Sequence, residues 1–386
     1  MIDAQNIEEL RLLAKEYLPK GIYEYVARGC EDDVALAENV AAFQRIKLLP
    51  RVMVDVSHRS KEIDLFGQRL KMPLVIAPTG SAALLWYEGE LVLARAAARA
   101  GIPFTISGGA AISMERIAAE AGGQLWFQIY MWQDEALSHQ VIARARDAGM
   151  QAMVVTADSA LPPNREYNVR NGFAQPFRVT GRNFVDVASH PRWVLRVMLR
   201  YLLGSGMPRY QNVPAELRDP ITGRPARMVV SSSMDWDWLR RVRKIWPRAL
   251  IVKGLMSPED AKLAADCGAD GVVVSNHGGR NVDSTPGTME LLPAVADAVG
   301  QRVTVMVDGG VRRGSDIVKA CALGAKAVLA GRPPLYGAAV AGEAGVDRAL
   351  AILSAEIDTT LGLIGCKGID ALDRSFIYSP GGANKQ

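Results

Sequence analysis

The chain lacks the marks of a disulfide, zinc or exported protein. Its four cysteines, Cys30, Cys267, Cys321 and Cys366, are scattered through 386 residues. No paired spacing indicates zinc or a dithiol, so a reduced compartment and no bound metal are expected. No run reaches the roughly 18 consecutive apolar residues that span a bilayer. The N-terminus, MIDAQNIEELRLLAKEYLPKG, has acidic residues where an export signal needs an apolar stretch. It reads instead as an amphipathic helix ended by Pro19 and Gly21. Charge of either sign is barely in excess, at +4 with a pI near 8.8. That is too weak to suggest nucleic acid and is compatible with anionic substrates or an anionic membrane surface. With 49% hydrophobic and 22% charged residues, the composition is that of an ordinary globular protein.

What is present is an alternation. Short β-rich runs, each followed by a helical segment, occur as PLVIAP from Pro73, PFTIS from Pro103, LWFQIY from Leu125 and AMVVTAD from Ala152. After an interruption they resume as ALIVKG from Ala249, DGVVVSNHGG from Asp270, VTVMVDGG from Val303 and AVLAGRP from Ala327. The runs are almost continuously apolar, as parallel strands buried on both faces must be. Eight of them predict a (β/α)8 barrel, an α/β TIM barrel with N-terminal helices. A doubly wound sheet also alternates, but no GxGxxG turn follows the first strand. Polar residues gather at the C-terminal ends of the runs: Thr79, Ser107, Gln128, Tyr130, Thr156, Asp158, Lys253, Ser275, His277, Asp308 and Arg332. Barrel enzymes place their chemistry on that face.

The interruption, about Leu161 to Met234, is far longer than an ordinary strand–helix loop. We read residues 1–386 as one barrel domain, with 161–234 inserted after strand 4 as a lid or membrane-docking segment. Within it, PRWVLRVMLRYLLGSGMP spaces Arg192, Arg196 and Arg200 four apart on one helix, among Trp193, Leu195, Val197, Leu199, Leu202 and Leu203. This is the composition of an interfacial membrane anchor spanning 192–209. A helix packed on the barrel, with solvated arginines, is the alternative.

With only four histidines in the chain, the segment SNHGGR, Ser275 to Arg280, is informative. Its glycines allow close backbone approach, the imidazole of His277 can exchange a proton near neutral pH, and Arg280 can fork two donors onto a carboxylate. Asp158, after the fourth strand in TADSALPPNRE with Arg165, is the candidate to orient His277. The runs VDGGVRRGSD and AGRP supply glycine N–H groups with Arg312 and Arg332, a phosphate site between the last two strands. Lys253 ends an apolar strand and needs an anionic partner there. It reads either as the neighbour of a reduced flavin or as a Schiff-base nucleophile.

Taken together, LPKGIYEYVARGCEDD, IAPTG, WFQIY, NREYNVRNGF, LIVKG, SNHGGR, DGGVRRG and AGRPPLYG resemble the FMN-dependent 2-hydroxy acid dehydrogenase/oxidase family, from about Ile7 to Gly365. The segments LLWYEGE, HPRW, GMP, LIVKGLMSPEDA and RPPLYGAAVAGEAGVD are most similar to its membrane-associated (S)-mandelate dehydrogenase branch. The resemblance implies oxidation of an (S)-2-hydroxy acid to the 2-keto acid, with FMN as cofactor. It implies that Tyr25, Arg165 and Arg280 hold the substrate carboxylate, Tyr130 meets the hydroxyl, and His277 is the base oriented by Asp158. FMN is expected on Pro78, Thr79, Gly80, Ser107, Gln128, Thr156, Lys253 and Ser275. Its phosphate end is expected on Asp308, Gly309, Gly310, Arg312, Gly331 and Arg332. The resemblance also implies peripheral attachment to the cytoplasmic side of the membrane, in agreement with the arginine-striped stretch, and it alone implies a tetrameric homo-oligomer. Whether the Cα hydrogen leaves as a hydride or as a proton stays open.

Two positions depart from the family's oxidases. Gly80 replaces an alanine beside the flavin, which favours a quinone or respiratory-chain acceptor over oxygen. Gly109 replaces the tryptophan that glycolate oxidases place over the substrate, so a bulkier, aromatic side chain is expected to fit. A Schiff-base aldolase and a non-enzymatic membrane-binding scaffold are the readings from other classes.

Overall fold

The computed structural model describes residues 2–173, 178–214, 217–221 and 231–379. Three helices, α1 (Ile7–Tyr17), α2 (Lys20–Ala27) and α3 (Val34–Arg45), precede a small antiparallel hairpin of β1 (Ile63–Leu65) and β2 (Gln68–Leu70). The helix expected at the N-terminus is α1, where the Asn6 side chain accepts from Glu9 N at 2.9 Å and so caps a free N–H.

All eight apolar runs are strands: β3 (Leu74–Ile76), β4 (Phe104–Ser107), β5 (Leu125–Ile129), β6 (Ala152–Thr156), β7 (Ala249–Leu255), β8 (Gly271–Val274), β9 (Thr304–Asp308) and β10 (Ala327–Ala330). They close into a parallel barrel in the order β10-β3-β4-β5-β6-β7-β8-β9. Every residue of β4, β5, β6 and β8 is buried, because the inward side chains fill the barrel and the outward ones meet the helices. The polar strand ends collect at one mouth.

The other mouth is plugged by the β1–β2 hairpin, which no sequence pattern announced. Its Phe66–Gly67 turn takes φ of 48° and 75°, the two left-handed residues of a tight hairpin turn. The Phe66 ring lies 5.8 Å from the Trp126 ring at the base of β5. Strands of three residues are too short for an alternating pattern to register.

Two glycines set the shape of the functional mouth. Gly254 has φ of 106°, at a register shift between Lys253 and Leu255 in β7. A Cβ there would come within 2.7 Å of Asp158 Cβ, so the bulge admits that carboxylate beside Lys253. Gly310, at φ of 81°, would place a Cβ 2.2 Å from the backbone oxygen of Asn39 in α3. Gly310→Ala therefore combines left-handed strain of about 1–3 kcal/mol with a backbone clash. A Tm several degrees lower, with loss of retained flavin, is expected on thermal unfolding; an unchanged Tm would refute the close approach.

The long insertion opens after β6 and ends before the helix Trp236–Ile245. It contains helices Glu166–Arg170 and Gly181–Ala188 and a continuous helical stretch over 191–203, whose middle, Val194–Met198, is a π turn. The two faces of this stretch differ. Trp193, Val197 and Tyr201 are buried, with Trp193 Nε1 donating to Leu84 O at 2.8 Å and Tyr201 Oη accepting from Glu88 N at 2.9 Å. Leu195, Leu199, Leu202 and Leu203 face outward. The arginines are not simply solvated: Arg196 and Arg200 lie 5.9 and 4.1 Å over the Trp86 and Tyr87 rings. Among the described residues, no helix is long and apolar enough to cross a membrane.

Candidate active site

The turn after β8 is the most constrained element at the polar mouth. His277, Gly278 and Gly279 are consecutively left-handed, with φ of 58°, 67° and 73°. A histidine held there is a strained residue that the surroundings must fix. Asn276 does so: its Oδ1 accepts from Gly279 N at 3.1 Å and Asn39 Nδ2 at 2.8 Å, while its Nδ2 donates back to Asn39 Oδ1 at 3.0 Å. Ser275 Oγ accepts from His277 N at 3.1 Å and from Lys253 Nζ at 3.0 Å. Asn39, on α3, thus ties this turn to Gly309 and Gly310, which pack against it. No sequence signal marked Asn39 or Asn276.

His277 lines the pocket at the polar mouth, and its Nδ1 lies 2.9 Å from Asp158 Oδ1. That contact leaves Nε2 as the ring nitrogen available to the pocket. Burial pushes the imidazole below its ordinary value, helped by Lys253 and Arg280 and opposed by Asp158. Burial would raise Asp158, but His277 and Lys253 outweigh it and hold the carboxyl at about 2. The pair at rest is a neutral imidazole on an ionised carboxylate.

Beside it lie two cations without carboxylate partners among the described residues. Arg165 donates through Nε at 3.3 Å and Nη2 at 3.0 Å to Arg280 O. Arg280 Nη1 donates to Tyr25 O at 2.7 Å and Arg28 O at 2.9 Å, and its guanidinium stands 5.2 Å over the Tyr25 ring. Burial and the charge of Arg280 lower the pKa of Arg165. Two guanidinium groups this close in a buried pocket favour an anion between them. Tyr130 lines the same pocket, and burial raises its phenol, keeping it a proton donor.

Lys253 is 4% exposed and pairs with Asp308, Nζ to Oδ2 at 3.2 Å. Burial opposes its charge, but Asp308, Asp158 and Tyr130 outweigh burial and raise its pKa. A locked ammonium is not the free amine a Schiff base requires, so the aldolase reading is corrected. Asp308, placed by the sequence among cofactor contacts, lines the pocket with one oxygen committed to Lys253. Arg332 likewise differs from Arg312. Its Nε, Nη1 and Nη2 donate to Val26 O, Gly278 O and Arg28 O at 2.9, 3.0 and 2.9 Å. It stitches α2 to the His277 turn, and burial, reinforced by Arg280 and Arg312, pushes it down to about 10. Among the described residues, the Arg312 guanidinium donates only to its own neighbour Val311 O, at 2.8 Å, leaving most of it for the pocket.

Pro78, Thr79, Gly80, Gly309, Gly310 and Gly331 line the same pocket. Ser107 Oγ donates to Gln128 Oε1 at 3.3 Å, and Thr156 pairs in register with Lys253. Thr79 Oγ1 and Gln128 Nε2 are buried without hydrogen-bond partners among the described residues. These two polar atoms and the Lys253 ammonium suit the donor-and-acceptor edge of a flavin ring. The cationic Arg312 beside the glycine turn suits a phosphate dianion. The residues present therefore fit FMN.

A Cβ at Gly80 would meet nothing nearer than Tyr25 Oη at 4.0 Å, and one at Gly109 would lie 3.7 Å from Ser107 Oγ and 3.9 Å from Tyr210. Tyr210, carried by the insertion, borders the space beside Gly109 and lines the pocket. Nothing in the sequence identified it, because a loop residue carries no period.

A family model for FMN-dependent dehydrogenases matches residues 14–379. The chain is 41% identical to (S)-mandelate dehydrogenase of Pseudomonas putida over 98% of its own length and 95% of that protein's. It is 38% identical to 4-hydroxymandelate oxidase of Amycolatopsis orientalis, over 96% of this chain and 97% of that protein. A solved structure of monotopic membrane protein (S)-mandelate dehydrogenase superposes with a TM-score of 0.92 at 40% identity, covering 98% of this chain and 100% of that one. With the barrel, the flavin-compatible mouth and a near full-length match in agreement, this chain belongs to the FMN-dependent dehydrogenase family, as an FMN enzyme that oxidises 2-hydroxy acids.

Proposed function

We propose that the chain oxidises an (S)-2-hydroxy acid with a bulky or aromatic, mandelate-like side chain to the 2-keto acid and passes the electrons to a quinone or other respiratory acceptor. The observation that carries the substrate reading is the Arg165–Arg280 pair, free of carboxylate partners among the described residues, beside the neutral His277 on Asp158. The arginines and Tyr25 bind the substrate carboxylate, and Tyr130 hydrogen-bonds the hydroxyl. His277 Nε2 takes a proton, and Asp158 holds the Nδ1–H tautomer and stabilises the imidazolium that forms. Bound FMN supplies the two-electron acceptor. Lys253, Thr79 and Gln128 hold the flavin ring, and Arg312 with Gly309 and Gly310 holds the phosphate. The open space at Gly80 and Gly109 supports a large substituent on the α-carbon.

The relatives named mandelate dehydrogenase and the outward leucines of the insertion support a peripheral position on the cytoplasmic face of the membrane and a membrane-held acceptor. A homo-oligomer, tetrameric by likeness to the family, belongs to the same reading. The relative named an oxidase keeps oxygen as the second acceptor to test. Anaerobic addition of (S)-mandelate, (S)-lactate or glycolate to the holoenzyme separates the readings. Fast loss of the oxidised-flavin colour with mandelate, then fast return with a quinone and slow return in air, is expected. Bleaching only by glycolate or lactate would overturn the bulky-substrate reading, and fast return in air would overturn the acceptor.

The base must be neutral to act, so activity is lost as pH falls through the pKa of His277. Because burial lowers that pKa, the acid limb of kcat/KM is expected below the ordinary imidazole value of about 6.5. A limb centred above 7 would contradict this environment.

A further inference from the structure

Glu90, in the first turn of the helix Gly89–Ala100, is 1% exposed and takes no part in the chemistry above. A glutamate at that place in a helix ordinarily faces water, near the positive end of the helix dipole. This one points inwards. Its Oε1 accepts from Ala83 N and from Ala111 N, each at 3.3 Å, while its Oε2 is buried with no hydrogen-bond partner among the described residues. Burial pushes the carboxyl up, opposed only by backbone N–H groups, so the environment favours the uncharged acid.

The two amides belong to the loops that follow β3 and β4. Ala83 lies three residues past Gly80 and Ala111 two past Gly109, and Gly80, Ser81, Ser107 and Gly109 line the pocket. The first loop has to be held in place. Ser81 and Glu88 are non-glycine residues at φ of 63° and 57°, a backbone that persists only where neighbours fix it. Its far end is fixed by the insertion, through Trp193 on Leu84 O and Tyr201 on Glu88 N. Gly89 lets the helix close on the same loop, since a Cβ there would lie 2.2 Å from Ala82 O. Glu90 then joins this loop to the next.

We infer that Glu90 is a positioning residue for the oxidation, one oxygen clamping the Gly80 loop to the Gly109 loop so that flavin ring and substrate α-carbon are held in line. This rests on the oxidation reading above. The substrate carboxylate is held from elsewhere, by Arg165 and Arg280 beyond β6 and β8, so loss of the clamp misaligns the reacting atoms and spares substrate affinity. A misplacement of about 1 Å costs about 100-fold in rate.

The test is stopped-flow anaerobic reduction of the holoenzyme by (S)-mandelate, read as the limiting rate per bound flavin. A poorly folded fraction then lowers the amplitude and leaves the rate alone. Glu90→Leu fills the space without an acceptor, whereas Glu90→Gln offers a neutral amide oxygen to the same two N–H groups. The leucine variant is expected to slow the limiting rate about 10- to 100-fold, with the mandelate Kd changed by no more than a fewfold. The glutamine variant should stay near wild type in both. If the leucine variant does not hold flavin, amide exchange read by mass spectrometry decides on the wild-type and glutamine holoenzymes, where Ala83 and Ala111 should exchange slowly.

A leucine variant with lower amplitude and an unchanged limiting rate makes Glu90 merely structural and overturns the clamp. A glutamine variant as slow as the leucine one overturns the acceptor role, as does fast exchange of Ala83 or Ala111 in the wild-type holoenzyme. If no 2-hydroxy acid bleaches the wild-type flavin, the oxidation reading itself falls, and the positioning role falls with it whatever the variants show.

Discussion

His277→Gln is expected to keep its flavin and lose bleaching by (S)-mandelate, with the reduction rate down about 10²- to 10⁴-fold, the contribution of a positioned general base. Flavin retention follows from the geometry: the ring-binding candidates Thr79, Gln128 and Lys253 stand on β3, β5 and β7 or just beyond, and the phosphate turn follows β9. None depends on the imidazole. The backbone complicates the variant, because position 277 has φ of 58° and glutamine tolerates that region less well than histidine or asparagine. His277→Asn is therefore the companion: it suits the left-handed backbone and still lacks the base. Both should fail alike. Recovery of bleaching in the asparagine variant would assign the loss in glutamine to a displaced turn, and normal bleaching in both would remove His277 as the base.

The second large effect concerns the membrane. Leu195, Leu199, Leu202 and Leu203 are 59%, 37%, 55% and 79% exposed. Burying half of each in a lipid interface contributes about 1 kcal/mol per side chain. Together that is about 4 kcal/mol, a thousandfold in partition. Changing all four to glutamine should move the protein from the vesicle pellet to the supernatant. Trp193, Val197 and Tyr201, which anchor the same stretch to the barrel, are untouched, so bleaching by mandelate should stay within a fewfold. Continued sedimentation with vesicles would place the docking surface elsewhere. Deleting 192–209 is a poorer test, because Leu84 and Tyr87 would lose the cover they have in the intact chain.

The eight strands were legible because burial on both faces leaves no choice but a continuous apolar run, and the run stops where the chain reaches the mouth. His277 stood out by rarity and by its two glycines. The aldolase alternative for Lys253 survived the sequence because no local pattern tells whether a buried lysine has a partner; Asp308 follows it by more than fifty residues and meets it only across the barrel. Arg332 and Arg312 look equivalent in DGGVRRG and AGRP, yet one spends its donors on three carbonyls from α2 and the β8 turn while the other faces the pocket.

By itself the sequence determined the barrel, the mouth that carries the chemistry and the chemical kinds gathered there, since strand periodicity and residue type are local properties. The tertiary structure alone decided who partners whom. It set Asp158 beside His277 through the bulge at Gly254, closed the opposite mouth with Phe66, brought Tyr210 to Gly109, and divided the insertion into a buried aromatic face and an exposed leucine face. These are contacts between segments distant in the chain, fixed by packing and by the need to satisfy buried polar groups, and no single segment carries their imprint.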